Sequence, residues 1–180
     1  MGKRKYVSDY AIEDYEDAKG KLRSRRVYQG KYYRFRETPE EIRKLRYTII
    51  IVCVLVAALL LPVLLWDTSL SRTVYIVLPA VLSFIPVYLL LAAASLLDSR
   101  HEPLTREHRD KTENRIRGAV PILPAFLAVS CLGCVVQFIR GSFPEQELPF
   151  AICLVAALMA SLSLLPLRKK ADCRLTEETQ

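Results

Sequence analysis

Residues 47–66 read YTIIIVCVLVAALLLPVLLW and contain no Asp, Glu, Lys or Arg. Stretches 73–97, 118–139 and 149–167 are also free of these residues, so all 26 basic and 19 acidic residues of the 180-residue chain lie elsewhere. A soluble helix carries charged residues along its outer face, so this segregation excludes an ordinary globular domain. A hydrocarbon core of about 30 Å needs about 20 apolar residues in a helix. The sequence therefore predicts an all-α polytopic membrane protein with a bundle of four transmembrane helices.

The composition argues against several other classes. No segment outside the four stretches exceeds 46 residues, which leaves no room for a large catalytic domain. Four of the five cysteines lie in the apolar stretches, unlike those of a secreted disulfide scaffold. No phosphate-binding loop or nucleophile-elbow motif occurs. We therefore expect no enzymatic activity, no cofactor and no nucleic-acid partner.

Basic residues predict the orientation. Residues 1–46, 98–117 and 168–180 contain 24 of the 26 Lys and Arg, whereas loops 67–72 and 140–148 contain one each. Lys and Arg accumulate on the cytoplasmic side of a membrane. We therefore expect a plasma-membrane protein with both termini and the middle loop in the cytoplasm.

The polar N-terminal cytoplasmic tail, residues 1–37, divides into two parts. Residues 9–17 (DYAIEDYED) are acidic, and residues 19–36 (KGKLRSRRVYQGKYYRFR) are basic and aromatic. Gly20 lies between them at a favourable turn position. A short β-hairpin would place opposite charges on neighbouring strands, which is mildly stabilising. A solvated, unstructured tail is the alternative.

The basic-aromatic part and the residues after it have three interpretations: contact with anionic inner-leaflet lipid, contact with a membrane-protein partner, or a solvated tail. The candidate contact residues are Arg23, Arg25, Arg26, Tyr28, Tyr32, Tyr33, Phe35, Arg43, Lys44 and Arg46.

Helix-start signals define the next segments. Thr38-Pro39-Glu40-Glu41 is typical of a capped helix start, so residues 38–66 are predicted to form a juxtamembrane helix that continues into the first span. The loop 98–117 contains the i,i+4 pairs Glu102/Arg106, Glu107/Lys111 and Glu113/Arg117, which favour a helix leading into the third span. The tail 168–180 is expected to fray.

Two features within the spans concern packing. Pro79 and Pro86 are seven residues apart in span 73–97 and are hinge candidates; static kinks are the simpler interpretation. Span 149–167 has small residues that could allow close helix contact. These residues are Cys153, Ala157 and Ser161, with Ala156 and Ala160 beside them.

Two groups could carry chemistry. Cys131-x-x-Cys134 could form a redox pair, but the favoured interpretation is that both cysteines are small apolar packing residues. The middle loop contains a His/carboxylate group, but its histidines are seven residues apart rather than four, so we expect no metal. The members of this group are His101, Glu102, His108 and Asp110.

Two sequence elements carry a resemblance. They are Tyr28-x-Gly30-x-Tyr32-Tyr33 in the tail and Arg106-x-x-x-Asp110-Lys111-x-x-x-Arg115 before the third span. Together with the capped helix that enters the first span, they resemble small four-span membrane proteins of unassigned function from Gram-positive bacteria. The resemblance implies the topology and no catalytic residue.

Three functional hypotheses follow. The leading one is a non-enzymatic accessory or scaffold subunit that packs against a partner, or against itself, and recognises that partner through its cytoplasmic tail. The alternative is a small oligomeric transporter or channel for a neutral or apolar solute, lined by the Pro79 and Pro86 face. The third is a membrane thiol oxidoreductase that uses Cys131 and Cys134.

Overall fold

The structure is a computed structural model that describes residues 9–16, 22–35, 37–65, 68, 70–97, 105–141, 147–171 and 173–175. Three strands come first: β1 (Tyr10–Glu16), β2 (Leu22–Tyr28) and β3 (Tyr33–Phe35). Five α-helices follow: α1 (Pro39–Leu65), α2 (Val74–Leu82), α3 (Phe84–Leu96), α4 (Arg106–Ile139) and α5 (Leu148–Leu162). A 3-10 helix (Leu165–Ala171) and strand β4 (Cys173–Leu175) complete the described chain.

Four helical segments are long and apolar enough to cross a membrane: Pro39–Leu65, Val74–Leu96, Arg106–Ile139 and Leu148–Lys169. The prediction of an all-α bundle with four spans is therefore confirmed. Helix α4 packs against α2, α3 and α5, and α1 packs against α3 and α5. The fully buried side chains of this core include Ile49, Leu60, Leu90, Leu123 and Leu154.

Helix α1 begins with the capping arrangement that its sequence predicts. The backbone N–H of Thr38 donates to Glu41 Oε2 at 3.0 Å, and the N–H of Glu41 donates to Thr38 Oγ1 at 3.4 Å. These reciprocal bonds satisfy amide groups that have no partner inside the helix.

The second span is divided at Ser83 into α2 and α3, but Ser83 keeps helical dihedral angles. The N–H groups of Ser83 and Val87 donate to the carbonyl oxygens of Pro79 and Ser83 at 3.0 Å and 3.2 Å, so the helical path continues through this residue. Pro79 and Pro86 lie on either side of this residue, and neither can donate a backbone hydrogen bond to the preceding turn. Ser83 is fully buried, and its Oγ donates to the carbonyl oxygen of Ala80 at 2.6 Å. The hydroxyl therefore remains satisfied inside the bundle. Pro86 is also buried.

Helices α2 and α4 approach each other closely at Gly133. A Cβ atom on Gly133 would lie 2.7 Å from Ile76 Cγ1, which is closer than atoms can pack. Ser130, one turn earlier, donates a 2.9 Å hydrogen bond to the carbonyl oxygen of Ile76. Small residues let helix backbones approach in this way within a membrane. Gly133 therefore allows the hydrogen bond between the two spans.

The small residues of the fourth span face the interior of the chain. Ala157 and Ser161 are fully buried where α5 packs against α1 and α4, and Cys153, Ala156 and Ala160 are partly buried. The helix contact that these small residues allow is therefore made, at least at Ala157 and Ser161, within the chain itself. Ala157 and Ser161 are covered by helices of the same chain.

The C-terminal tail also differs from the expectation that it frays. Strand β4 pairs antiparallel with β3 in the register Tyr33↔Leu175 and Phe35↔Cys173. Strand β3 supplies backbone hydrogen-bond partners for residues 173–175, which stabilises them in an extended conformation. The pairing places both tails at the same end of the bundle, here called the tail end. The opposite end, with residues 70–73, 140, 141, 147 and 148, is called the loop end.

Candidate functional site at the docked tail

The described part of the N-terminal tail is folded. Strands β1 and β2 form an antiparallel hairpin in which Tyr10 lies opposite Tyr28 and Ile12 lies opposite Arg26. The N–H of Gln29 donates to the carbonyl oxygen of Asp9 at 2.9 Å and extends the pairing by one step. Isolated two-stranded hairpins are marginal in water, so contacts with the bundle matter for this unit.

The hairpin is attached to the start of helix α4. The hydroxyl of Tyr28 donates to the carbonyl oxygen of Lys31 at 2.9 Å and accepts a 3.0 Å hydrogen bond from the backbone N–H of Arg106. Arg106 is the first residue of α4, and the preceding Thr105 makes no side-chain cap bond. The phenol therefore satisfies a helix-start amide that the helix itself leaves without a partner.

Gly30 allows this position of the Tyr28 ring. A Cβ atom on Gly30 would lie 2.5 Å from the Tyr28 hydroxyl oxygen and 2.6 Å from its Cζ. The ring also contacts Tyr10 and Tyr32 edge-on, with centroids 5.3 Å and 5.2 Å away. These aromatic contacts and the absence of a Gly30 side chain orient the hydroxyl toward Arg106.

A second attachment point lies one turn further along α4. The guanidinium carbon of Arg109 lies 4.5 Å from the ring centroid of Tyr33, a cation–π distance, and Tyr33 is only 8% exposed. Arg109 Nε donates to Glu113 Oε2 at 3.2 Å, and Arg117 lies 2.8 Å from the other carboxylate oxygen. Glu113 is thus a buried carboxylate held between two arginines.

We call Tyr28, Tyr33, Arg106, Arg109 and Glu113 the tail clasp. It joins the Tyr28-x-Gly30-x-Tyr32-Tyr33 element of the tail to the Arg106-x-x-x-Asp110-Lys111 element of the middle helix, the two elements that carry the sequence resemblance. Hydrogen bonds, ring contacts and ion pairs of this kind hold two parts of a chain together. The chemistry of the clasp is therefore that of attachment.

Electrostatics in the clasp follow from burial and charge. Burial raises the pKa of Tyr28, although the hydrogen bond from Arg106 acts in the opposite direction. Burial alone would lower the pKa of Arg109, but the neighbouring Glu113 carboxylate and Tyr33 outweigh it and raise the pKa. Asp9 Oδ2 lies 3.9 Å from the Arg106 guanidinium, close to the positive end of the α4 dipole.

The predicted contact residues divide into two groups. Tyr28, Tyr33 and Phe35 pack against the chain itself, so they do not form an open lipid or partner surface, which corrects that assignment. Arg25, Arg26, Tyr32, Arg43 and Lys44 are exposed, Arg46 is half-buried, and the side chain of Arg23 lies outside the described residues.

The candidate chemical groups are placed as follows. Cys131 and Cys134 are free thiols in α4, and Cys134 is buried. His108 is exposed and Asp110 is half-buried, whereas His101 and Glu102 lie outside the described residues. Among the residues that the structure describes, no three His, Cys, Asp or Glu side chains cluster as metal ligands would.

A polar cluster at the loop end was not predicted. Glu147 is only 5% exposed, and its Oε2 accepts a 3.2 Å hydrogen bond from the backbone N–H of Leu70. Gln137 Nε2 lies 3.4 Å from Thr73 Oγ1 in the same region. The sequence placed Glu147 in a short loop and contained no signal for its burial.

The prediction from sequence did not include Arg109, although its spacing of four residues from Glu113 is a detectable signal of an ion pair. No local pattern indicates the contact of Tyr28 with Arg106.

Comparison with family models, with curated proteins and with solved structures finds no match to this chain.

Proposed function

We propose that this integral membrane protein is a non-enzymatic accessory or scaffold subunit of the plasma membrane, with both tails in the cytoplasm, and that it recognises a membrane-protein partner through its hairpin. One observation carries the proposal. The tail clasp holds the hairpin on α4, so the hairpin is presented as a folded surface rather than as a loose segment.

The proposed recognition surface is the exposed part of the hairpin. Ile12 is 72% exposed and lies opposite Arg26, so these two side chains share one face, whereas the exposed Arg25 is on the other face. Tyr32 is 38% exposed beside the clasp. Arginine and tyrosine are favoured anchors of protein interfaces, and the exposed apolar side chain of Ile12 beside Arg26 supplies area that a partner can bury.

The proposed orientation rests on the basic residues. Strands β3 and β4 pair at the tail end of the bundle, and residues 1–46, 98–117 and 168–180 contain 24 of the 26 Lys and Arg of the sequence. The positive-inside tendency assigns that end to the cytoplasm. Trypsin applied to inside-out and right-side-out vesicles tests the assignment. We expect cleavage at Arg25 or Arg26 only in inside-out vesicles; cleavage only in right-side-out vesicles would contradict it.

The main experiment is purification of the tagged full-length chain from native membranes in mild detergent. Arg25→Glu/Arg26→Glu is compared with the control Arg168→Glu/Lys169→Glu, which reverses two exposed charges outside the hairpin. We expect a stoichiometric second protein with the wild type and the control, and its loss with the hairpin variant. Equal recovery with all three proteins would contradict recognition by the hairpin.

The observation that favours a transporter or channel instead is the pair of prolines in the second span, because each lacks an N–H group for the preceding turn of the helix. In that case purification would yield a homo-oligomer, and Pro79→Ala/Pro86→Ala would change solute flux in reconstituted vesicles. We rank this function second because Pro86 and Ser83 are buried against other helices of the same chain.

A further inference from the structure

A cleft opens at the tail end, between the first turns of α1 and the 3-10 helix. Its volume is about 240 Å³. The lining residues are Glu41, Lys44, Leu45, Thr48 and Leu167. None of these residues belongs to the tail clasp, and the hairpin surface does not include them.

One wall of the cleft is polar. Lys44 and Thr48 lie one helical turn apart on α1, and Thr48 Oγ1 donates its hydrogen to the carbonyl oxygen of Lys44 at 2.9 Å. The Thr48 hydroxyl oxygen is then left only as an acceptor. The Lys44 ammonium, with three N–H donors and a full positive charge, is therefore the group that would bind an anion.

The Glu41 carboxylate also lines the cleft, and one of its oxygens is engaged at the start of α1. Its Oε2 accepts hydrogen bonds from the N–H and from Oγ1 of Thr38, both at 3.0 Å. The carboxylate thus belongs to the cap of α1, where the helix dipole favours a negative charge.

The other wall is apolar. Leu45 is only 4% exposed, so the accessible apolar area of this wall belongs mainly to Leu167, which packs against the core and remains partly exposed. Covering this area would stabilise the glycerol and first methylenes of a bound lipid, whereas a hydrated phosphate ion has no apolar group to place there.

The depth of the cleft indicates where its ligand would come from. Lys44 lies three residues before the uncharged stretch 47–66, and Leu167 ends the uncharged stretch 149–167 and precedes Arg168. Both walls therefore lie at the transition from charged to apolar sequence, which corresponds to the headgroup level of a bilayer. The exposed cations Arg43, Arg168 and Lys169 adjoin the walls in sequence.

We propose that this cleft binds the phosphate headgroup of one anionic phospholipid, with its glycerol against Leu45 and Leu167. Pockets for drug-sized molecules occupy about 300–1,000 Å³, so the smaller volume here suits a headgroup. Exposed surface cations attract anionic lipid diffusely; the cleft selects a single lipid through Lys44. This proposal does not depend on a protein partner.

The test measures binding of soluble dioctanoyl phosphatidylglycerol to the full-length protein in detergent by native mass spectrometry. Lys44→Gln is compared with Arg43→Gln. Arg43 is the adjacent cation, but it does not line the cleft, and its guanidinium carbon lies 5.8 Å from the Tyr47 ring centroid. We expect Lys44→Gln to weaken binding about fivefold, which corresponds to the attraction of one Lys for anionic lipid. Arg43→Gln should change the affinity less than about twofold, because it contributes only to the diffuse field. Lys44→Arg should restore binding.

Two further ligands distinguish the sources of the phosphate. Dioctanoyl phosphatidylcholine should bind more weakly than phosphatidylglycerol and depend less on Lys44, because its choline cation offsets the charge of the phosphate. Inorganic phosphate should not displace the bound lipid at equal concentration. Displacement by phosphate, equal losses in the Lys44 and Arg43 variants, or no retained lipid would each overturn the proposal. Lys44 is exposed, so its variants should fold, and thermal unfolding of each protein checks this.

Discussion

The hydroxyl of Tyr28 accepts a hydrogen bond at 3.0 Å from the backbone N–H of Arg106, a residue 78 positions later in the chain. This bond caps α4 and attaches the tail at the same time. Docking of the hairpin and completion of the α4 start are therefore coupled, and a change to the Tyr28 hydroxyl should affect both.

Tyr28→Phe should loosen the tail without unfolding the bundle. The substitution keeps the ring but removes one hydrogen-bond partner from Arg106 and one from Lys31. We expect docking to weaken by about 1 kcal/mol, the usual net value of such a bond. Hydrogen exchange of the β1 and β2 amides should accelerate about fivefold, as this free energy implies. Tyr32→Phe, which alters the neighbouring ring, is the control, and equal acceleration in both variants would contradict the assignment.

Gly30→Ala should displace the Tyr28 ring. The new methyl would lie 2.5 Å from the hydroxyl oxygen, so the ring must move and its bond to Arg106 must break. We expect a loss of about 1–3 kcal/mol, typical of overpacking. Gly118→Ala is the matched control because no atom lies within 4 Å of its added Cβ. That control should stabilise the protein by about 0.5–1 kcal/mol through helix propensity. Thermal unfolding in detergent compares the stabilities of the two variants. A Gly30→Ala protein that is as stable as the wild type, with slow hydrogen exchange in the hairpin, would refute the packing argument.

Glu113→Gln should be more damaging than Glu107→Gln, although both residues have a basic partner four positions later. Glu113 is buried and bridges Arg109 and Arg117, whereas Glu107 makes a 2.6 Å ion pair with Lys111 nearer the surface. We expect the Glu113 variant to lose about 1–3 kcal/mol, since hydrogen bonds to charged groups are involved. The Glu107 variant should lose no more than about 1 kcal/mol. Denaturant unfolding measures the difference, and equal losses would count against a buried bridge.

Docking of the tail should weaken in alkaline solution. The pKa of Tyr28 is raised above its ordinary value of 10.0 when the tail is docked. Its contribution is therefore fully present below pH 10 and decreases as the pH rises through the docked-state pKa, because the released phenol loses its proton first. Hydrogen exchange or limited proteolysis of the hairpin above pH 10 measures the release. In the Tyr28→Phe variant, release of the hairpin should not increase above pH 10. The same increase in that variant would assign the release to another titrating group.

The four spans and the start of α1 could be predicted because the physics behind them is local. The apolar length of residues 47–66 matches a bilayer by itself, and Thr38 and Glu41 cap a helix three residues apart. The i,i+4 pairs of α4 depend likewise on spacing within one helix, as the Glu113–Arg117 and Glu107–Lys111 contacts show. The sequence located Pro79 and Pro86 in the second span, but only the structure shows that the helical path continues through Ser83 between them.

The sequence by itself determined which segments enter the membrane, because that depends on the transfer of each segment from water to lipid. Only the tertiary structure decided what the tails contact. Tyr28 with Arg106, Tyr33 with Arg109, and β3 with β4 join residues far apart in the chain, and no local spacing encodes such pairs. These contacts form because the folded bundle brings a helix-start amide, a buried carboxylate and a free strand edge to one end, where the tail can satisfy them.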